Sequence, residues 1–183
     1  AAKYRNAGQV CISPTRMLVQ DDVFKEFVDK FVEGAKAVKV GNGMDASSTM
    51  GSLANPRRVT AIEGMVQDAV AQGAKLETGG HRVGNKGYFF EPTVVSDVPK
   101  TARAMNEEPF GPLALISRFS SLDDVVEEAN RLPFGLASYA FTSSTKTATA
   151  IGAQVEAGMM SINAFGLALP EVPFGGMKDS GYG

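Results

Sequence analysis

The apolar residues switch repeatedly between the three- and four-residue spacing of amphipathic helices and short β-rich runs, and this alternation restricts the fold more than any other feature. Phe24, Phe27, Phe31, Ala35 and Val38, with Val28 and Val32 beside them, share one helical face. A second helix is predicted from Asn55, an N-cap ahead of Pro56, with Val59, Ile62, Val66, Ala69 and Val70 inward and Gly73 as its stop. Ser120, with Asp123 three positions on, opens a third that turns Leu122, Val125, Val126 and Ala129 inward. A fourth covers about 145–157, with Ala148, Ile151 and Val155 apolar and Gly158 ending it. Between them, Arg16–Gln20, Lys75–Thr78, Phe89–Val95, Leu113–Arg118, Ala137–Thr142 and Met159–Asn163 read as strands. Strands alternating with helices imply βαβ units, hence an α/β fold with a mostly parallel sheet flanked by helices. The glycine-rich GGHRVGNKG reads instead as a long hairpin or excursion. No repeat, low-complexity tract or Pro/Ser linker interrupts the chain, so residues 1–183 are expected to form a single domain.

Composition removes several function classes. The formal charge of −2 does not suit a protein that coats nucleic acid or an anionic membrane. With 44% hydrophobic and 21% charged residues, a chain of 183 residues buries a core without staples. One cysteine and one histidine exclude an internal disulfide and a Cys/His zinc cluster. Charges interrupt every apolar stretch before membrane-spanning length, and the expected compartment is the cytoplasm. AAKYRNAGQVC has neither an initiator Met nor a leader pattern, and KDSGYG stops within a glycine-rich stretch. The expectation is a piece of a longer protein.

Cys11 is the candidate nucleophile, set in RNAGQVCISPTR just before the first strand. Glycine, amide and small side chains flank it, rather than the apolar neighbours of a packing cysteine, and a loop where N–H groups converge favours a thiolate and an oxyanion site. His81, the only histidine, lies in the turn Gly79-Gly80-His81-Arg82 and is not expected to serve Cys11 as base. Glu107 and Glu108 head EEPFGPL, where Pro109 and Pro112 stiffen the backbone and Gly111 permits an unusual conformation. A carboxylate there could accept both hydroxyls of a ribose, with Phe110 offering a flat face to an aromatic ring; the alternative is a solvated acidic turn. PFGGMKDSGYG places four glycines among eleven residues, too many for a stable helix or strand, and suits close backbone approach to a ligand or plain packing. Neither GxGxxG nor GxxxxGK[ST] occurs.

NAGQVC, EEPFGP and PFGGMKDSG, in this order and at these separations, resemble the aldehyde dehydrogenase superfamily, specifically its α/β catalytic domain. The resemblance implies that Cys11 attacks an aldehyde to give a thiohemiacetal, that hydride passes to NAD or NADP, and that water hydrolyses the thioester. It implies Glu108 at the nicotinamide ribose, Phe110 beside the nicotinamide and Arg58 near the adenosine half. The dinucleotide-binding domain, the general-base glutamate and the oligomerisation tail would lie outside this chain, in a parent that is a homodimer or homotetramer. Arg5, six residues before Cys11, matches the arginine with which succinate-semialdehyde dehydrogenases grip the distal carboxylate of their substrate. The serine that partners it in some members would fall near Ala168 or Leu169, where no hydroxyl is present, so glutarate and 2-oxoglutarate semialdehydes stay open beside succinate semialdehyde. Two alternatives remain: a CoA-acylating dehydrogenase, and a non-catalytic scaffold that keeps the fold.

Overall fold

A computed structural model describes residues 2–182, which form two compact units, one running to Phe119 and the other beginning at Ser120. The first contains β1 (Arg16–Gln20), α1 (Asp21–Lys36), α2 (Pro56–Ala71), β2 (Lys75–Thr78), β3 (Thr93–Ser96), the short α3 (Arg103–Asn106) and β4 (Leu113–Phe119). Its four strands stand in the order β1-β4-β3-β2. β4 runs parallel to both β1 and β3, while β2 is antiparallel to β3. The expected α/β architecture, mostly parallel and flanked by helices, is present.

The register of the parallel pair has a direct bearing on the site. Arg16 stands opposite Leu115, and Leu115 N–H donates to the carbonyl of Thr15 at 3.2 Å. The segments leading into β1 and β4 therefore emerge at the same sheet edge. The first of these carries Cys11; the second is EEPFGP, the end of the crossover that a parallel β3–β4 pair requires.

Val94, Val95, Leu113, Leu115 and Ile116 are fully buried, the pattern of central strands covered on both faces. α1 contributes Phe24, Val28 and Ala35, and α2 contributes Val59, Ile62, Met65, Val66 and Ala69. Asn55 caps α2 as the sequence implies, its Oδ1 accepting from Arg58 N–H at 3.1 Å, with Pro56 in the first turn. Two apolar residues depart from their expected positions. Phe27 is partly exposed and stacks on Phe31, because a stripe this wide exceeds the face that the sheet covers. Val70 is exposed while Met65 is buried, because the inward row follows Ile62, Val66 and Ala69, and Val70 lies one position round the helix. β3 begins at Thr93 rather than Phe89, since Pro92 has no N–H to give the ladder and Phe90 makes only an isolated antiparallel bridge to Arg82. GGHRVGNKG accordingly joins β2 to an antiparallel partner, as an excursion should.

The second unit holds α4 (Leu122–Asn130), β5 (Phe134–Gly135), β6 (Ala137–Ala140), α5 (Thr145–Gln154), β7 (Met159–Ile162) and β8 (Met177–Lys178). β6 and β7 pair in parallel, and β5 pairs antiparallel with β8. Ser121, not Ser120, caps α4, accepting from Asp124 N–H at 3.1 Å. The apolar residues of α4 are only half-buried, whereas Glu128 is buried and holds Arg131 through two contacts of 2.9 and 3.1 Å. β6 and β7 stop before Thr142 and Asn163 because the Asn163 side chain takes the backbone groups of Thr142 at 2.9 Å on each side. PFGGMKDSG does contain a short strand, contrary to expectation. Its glycines serve close packing: a methyl group on Gly158 would meet the carbonyl of Gly175, and Ser180 Oγ accepts from Gly135 N–H at 3.0 Å.

Candidate active site

The segment before Cys11 is shaped by three consecutive residues with positive φ, Asn6, Ala7 and Gly8, at 50°, 53° and 73°. Such a run is costly for residues bearing a Cβ and persists only where other bonds hold it. The Asn6 and Gln9 side chains supply them, each amide donating to the other residue's carbonyl at 3.0 and 3.1 Å. Gln9 Oε1 also accepts from Ala54 N–H at 2.8 Å, bracing the segment against the approach to α2. A turn closed by Ser13 N–H to the Val10 carbonyl, 2.8 Å, then presents Cys11 and Ile12 at its tip. The Cys11 thiol is exposed, and its backbone N–H has no hydrogen-bond partner among the described residues.

Gly8 joins this turn to EEPFGP. Any side chain on Gly8 would collide with the Gly111 carbonyl, so two backbones lie in direct contact there. A Cβ on Gly111 would stand 2.6 Å from Ile62 Cδ1, so that side chain would have to shift to admit one. Its φ is not positive, so glycine serves close packing there rather than an unusual conformation. The structure thus brings together the Cys11 turn, the Glu108–Phe110 turn and the face of α2 that carries Ile62. Arg58 lies one turn before Ile62 on that face, and its Nε and Nη2 are buried without partners.

The two adjacent glutamates differ in role. Glu107 is held by the Arg103 guanidinium through two contacts of 3.0 Å, which draws its carboxyl below the usual range. Glu108 is exposed and makes no side-chain hydrogen bond among the described residues, while Phe110 is half-buried beside it. Lys3, at the start of the segment that leads to Cys11, is 2% exposed, its amine without a hydrogen-bond partner. Burial pushes the Lys3 ammonium down to about 7, against the opposing pull of the Glu108 charge. Ser13 Oγ donates to the Lys3 carbonyl at 3.1 Å, and the buried Tyr4 hydroxyl donates to the Thr93 carbonyl at 3.1 Å, fixing the start of the segment to the sheet.

Arg5 is exposed and forms no ion pair or side-chain hydrogen bond among the described residues. His81 is exposed in its loop, beside the Arg82–Glu63 ion pair. Sequence reasoning overlooked Lys3 and the bracing by Gln9. It could have found the Arg103–Glu107 pair, whose i,i+4 spacing is the signal for it.

A model of the aldehyde dehydrogenase family matches residues 1–183. The chain is 46% identical to a probable NADP(+) succinate-semialdehyde dehydrogenase of Sinorhizobium fredii, covering 100% of this chain and 37% of that protein. It is 45% identical to a 4-(hydroxymethyl)benzenesulfonate dehydrogenase of Comamonas testosteroni, covering 99% and 37%. The crystal structure of succinate-semialdehyde dehydrogenase from Burkholderia pseudomallei superposes with a TM-score of 0.97 at 39% identity, covering 100% of this chain and 38% of that one. The chain therefore spans a little over a third of the length of these relatives.

Proposed function

The chain belongs to the aldehyde dehydrogenase family, and from that premise we propose that it is the thiol-bearing part of an NAD(P)+-dependent dehydrogenase. Its substrate is an aldehyde with a distal anionic group, succinate semialdehyde or a close relative, and its product the carboxylate. The observation that carries this reading is the Gly8–Gly111 backbone contact, which sets an exposed thiol and an uncommitted carboxylate at one sheet edge.

In this mechanism the Cys11 thiolate adds to the carbonyl carbon, forming a C–S bond and moving the π pair onto oxygen. The free Cys11 N–H donates to that oxyanion. When bound, NAD(P)+ supplies the acceptor for the hydride whose departure leaves a thioester on Cys11. Glu108 would hold it through two ribose hydroxyls, with Phe110 against the nicotinamide; the exposure of the Glu108 carboxylate fits that task, and Glu107, engaged by Arg103, does not compete for it. Water then cleaves the thioester, releasing the acid and restoring the thiol, with the activating base assigned to polypeptide outside this chain. Arg58 is the candidate for the adenosine half, its guanidinium offering unpaired donors. The parent is proposed to be a homodimer or homotetramer.

Arg5 is assigned to the distal anion. Its guanidinium is uncommitted, and a planar fork suits a carboxylate or a sulfonate alike; the names of the two relatives above contain one of each. The test is steady-state kinetics of the full-length enzyme on succinate semialdehyde and on uncharged butanal. Arg5→Ala should raise KM for the anionic aldehyde roughly 10- to 100-fold, as expected for a charge-assisted contact, and leave butanal unaffected. Cys11→Ala should abolish both oxidations. Undiminished oxidation by Cys11→Ala would overturn the covalent mechanism in favour of a scaffold, and strict dependence on CoA would replace hydrolysis by acyl transfer to a thiol.

A further inference from the structure

A single contact fixes a point but leaves rotation about it, and the Gly8–Gly111 backbone contact is such a point for the Cys11 turn. A second support comes from the Gln9 side chain, two residues before the nucleophile, whose amide is engaged through both of its heteroatoms. Its Oε1 accepts from Ala54 N–H at 2.8 Å, and its Nε2 donates to the Asn6 carbonyl at 3.1 Å and to the Ser52 carbonyl at 3.4 Å. Ser52–Ala54 is a firm anchor, since Leu53 between them is buried and its N–H donates to the Tyr88 carbonyl at 2.8 Å. Asn6, by contrast, stands at φ 50° with Ala7 following at 53°, a backbone that relaxes unless it is tied. The three groups that Gln9 holds are uncharged and belong to two segments far apart in sequence, so the side chain must be donor and acceptor at once.

We propose that Gln9 is a positioning residue for Cys11, its amide removing the rotation that the Gly8 contact leaves and so aiming the thiol and the Cys11 N–H at one carbonyl group. The inference rests on the reading of Cys11 as nucleophile given above. Its consequence is that Gly8 determines where the turn stands and Gln9 which way it faces. Loss of the Gln9 amide therefore lowers kcat, because the line of attack is disturbed. The KM for the dinucleotide stays as it is, because Asn55 still caps α2 and keeps Arg58 in place.

The experiment uses the full-length enzyme and its Gln9→Ala, Gln9→Glu and Cys11→Ala variants, with kcat and the KM for NAD(P)+ measured from about pH 5 to 8.5. Gln9→Ala should lower kcat roughly 100-fold, the scale of a misplacement of about 1 Å, with the dinucleotide KM within about threefold of the parent's. In Gln9→Glu the acceptor for Ala54 remains, while the second oxygen faces the Asn6 and Ser52 carbonyls. Protonated, that oxygen donates as the amide does; ionised, it repels both carbonyls, which also raises the carboxyl above its usual range. The ratio of kcat in Gln9→Glu to that of the parent at the same pH should therefore rise at least about fivefold as pH falls across that range. Titration of the Cys11 thiol is common to both enzymes and cancels in the ratio. A kcat in Gln9→Ala within about threefold of the parent, or a ratio for Gln9→Glu that is flat with pH, overturns the proposal. So does a dinucleotide KM that climbs in step with the fall in kcat, as general loosening of the fold would produce. Should Gln9→Ala not fold, the Gln9→Glu ratio decides alone, since one variant is then followed through gain and loss of the donor. Undiminished oxidation by Cys11→Ala overturns the nucleophile reading itself. Abolished oxidation there beside an unchanged kcat in Gln9→Ala overturns the Gln9 inference alone.

Discussion

At the scale of single residues, Gly8 and Lys3 answer to opposite constraints, one by lacking a side chain and the other by burying a charged one. Gly8→Ala adds a Cβ to a residue at φ 73° and drives it into the backbone of Gly111, which cannot swing aside as a flexible side chain would. The expected result is a loss of aldehyde oxidation by the full-length enzyme of roughly 100-fold, the scale set by displacing a reacting group by about 1 Å. Gly34→Ala is the control, since the exposed face of α1 has open space at that position. It should stabilise the protein by about 0.5–1 kcal/mol in urea titration. Lys3 has its signature in stability. Its folded value of about 7 lies below the usual lysine range, so the unfolded chain binds the extra proton and stability must rise with pH above 7. Across the window from about 7 to 10 the gain is on the order of 4 kcal/mol. Above it, the buried Tyr4 phenol, held above the ordinary tyrosine range, reverses the trend because the unfolded chain ionises first. Urea midpoints measured against pH should therefore peak near pH 10. Lys3→Met should flatten the ascending limb.

At the scale of elements, the helix ends are where local chemistry is most exposed to test. Asn55→Ala removes the acceptor for Arg58 N–H and should cost about 1 kcal/mol in denaturant titration. A loss well under half of that would mean that the bond from Gln9 to Ala54 already fixes the start of α2. The elements themselves were largely legible in the sequence, because periodicity, the Asn55-Pro56 cap and the run of apolar β residues all report local preferences. Pro92 shows where that legibility ends: the β-rich run continues through it, but a ladder needs an N–H that it lacks. Phe27, Val70 and Met65 show a second limit, since helical periodicity gives a stripe and only the opposing sheet decides which edge of the stripe is covered. In the site, Cys11 and Glu108 were visible as chemistry in unusual surroundings. Lys3 was not, because a lysine in sequence is read as solvated, and only long-range packing removes water from it.

At the scale of the whole molecule, residues 2–119 assemble the proposed nucleophile and cofactor carboxylate within one unit, whereas collecting the electrons is assigned to polypeptide beyond the chain. The 183-residue chain by itself should accordingly take up one equivalent of iodoacetamide at Cys11, read by mass spectrometry, and reduce no NAD(P)+ in the presence of aldehyde. Appreciable NAD(P)H formation by this chain alone would show that hydride transfer needs nothing further. No helix among the described residues is long and apolar enough to cross a membrane. Because β1 and β4 lie side by side in one direction, the loops ahead of them are anchored at neighbouring posts whatever their own composition. Under the proposed assignment of Arg5, substrate range would change through side chains borne on these loops while the paired strands that anchor them stay in register.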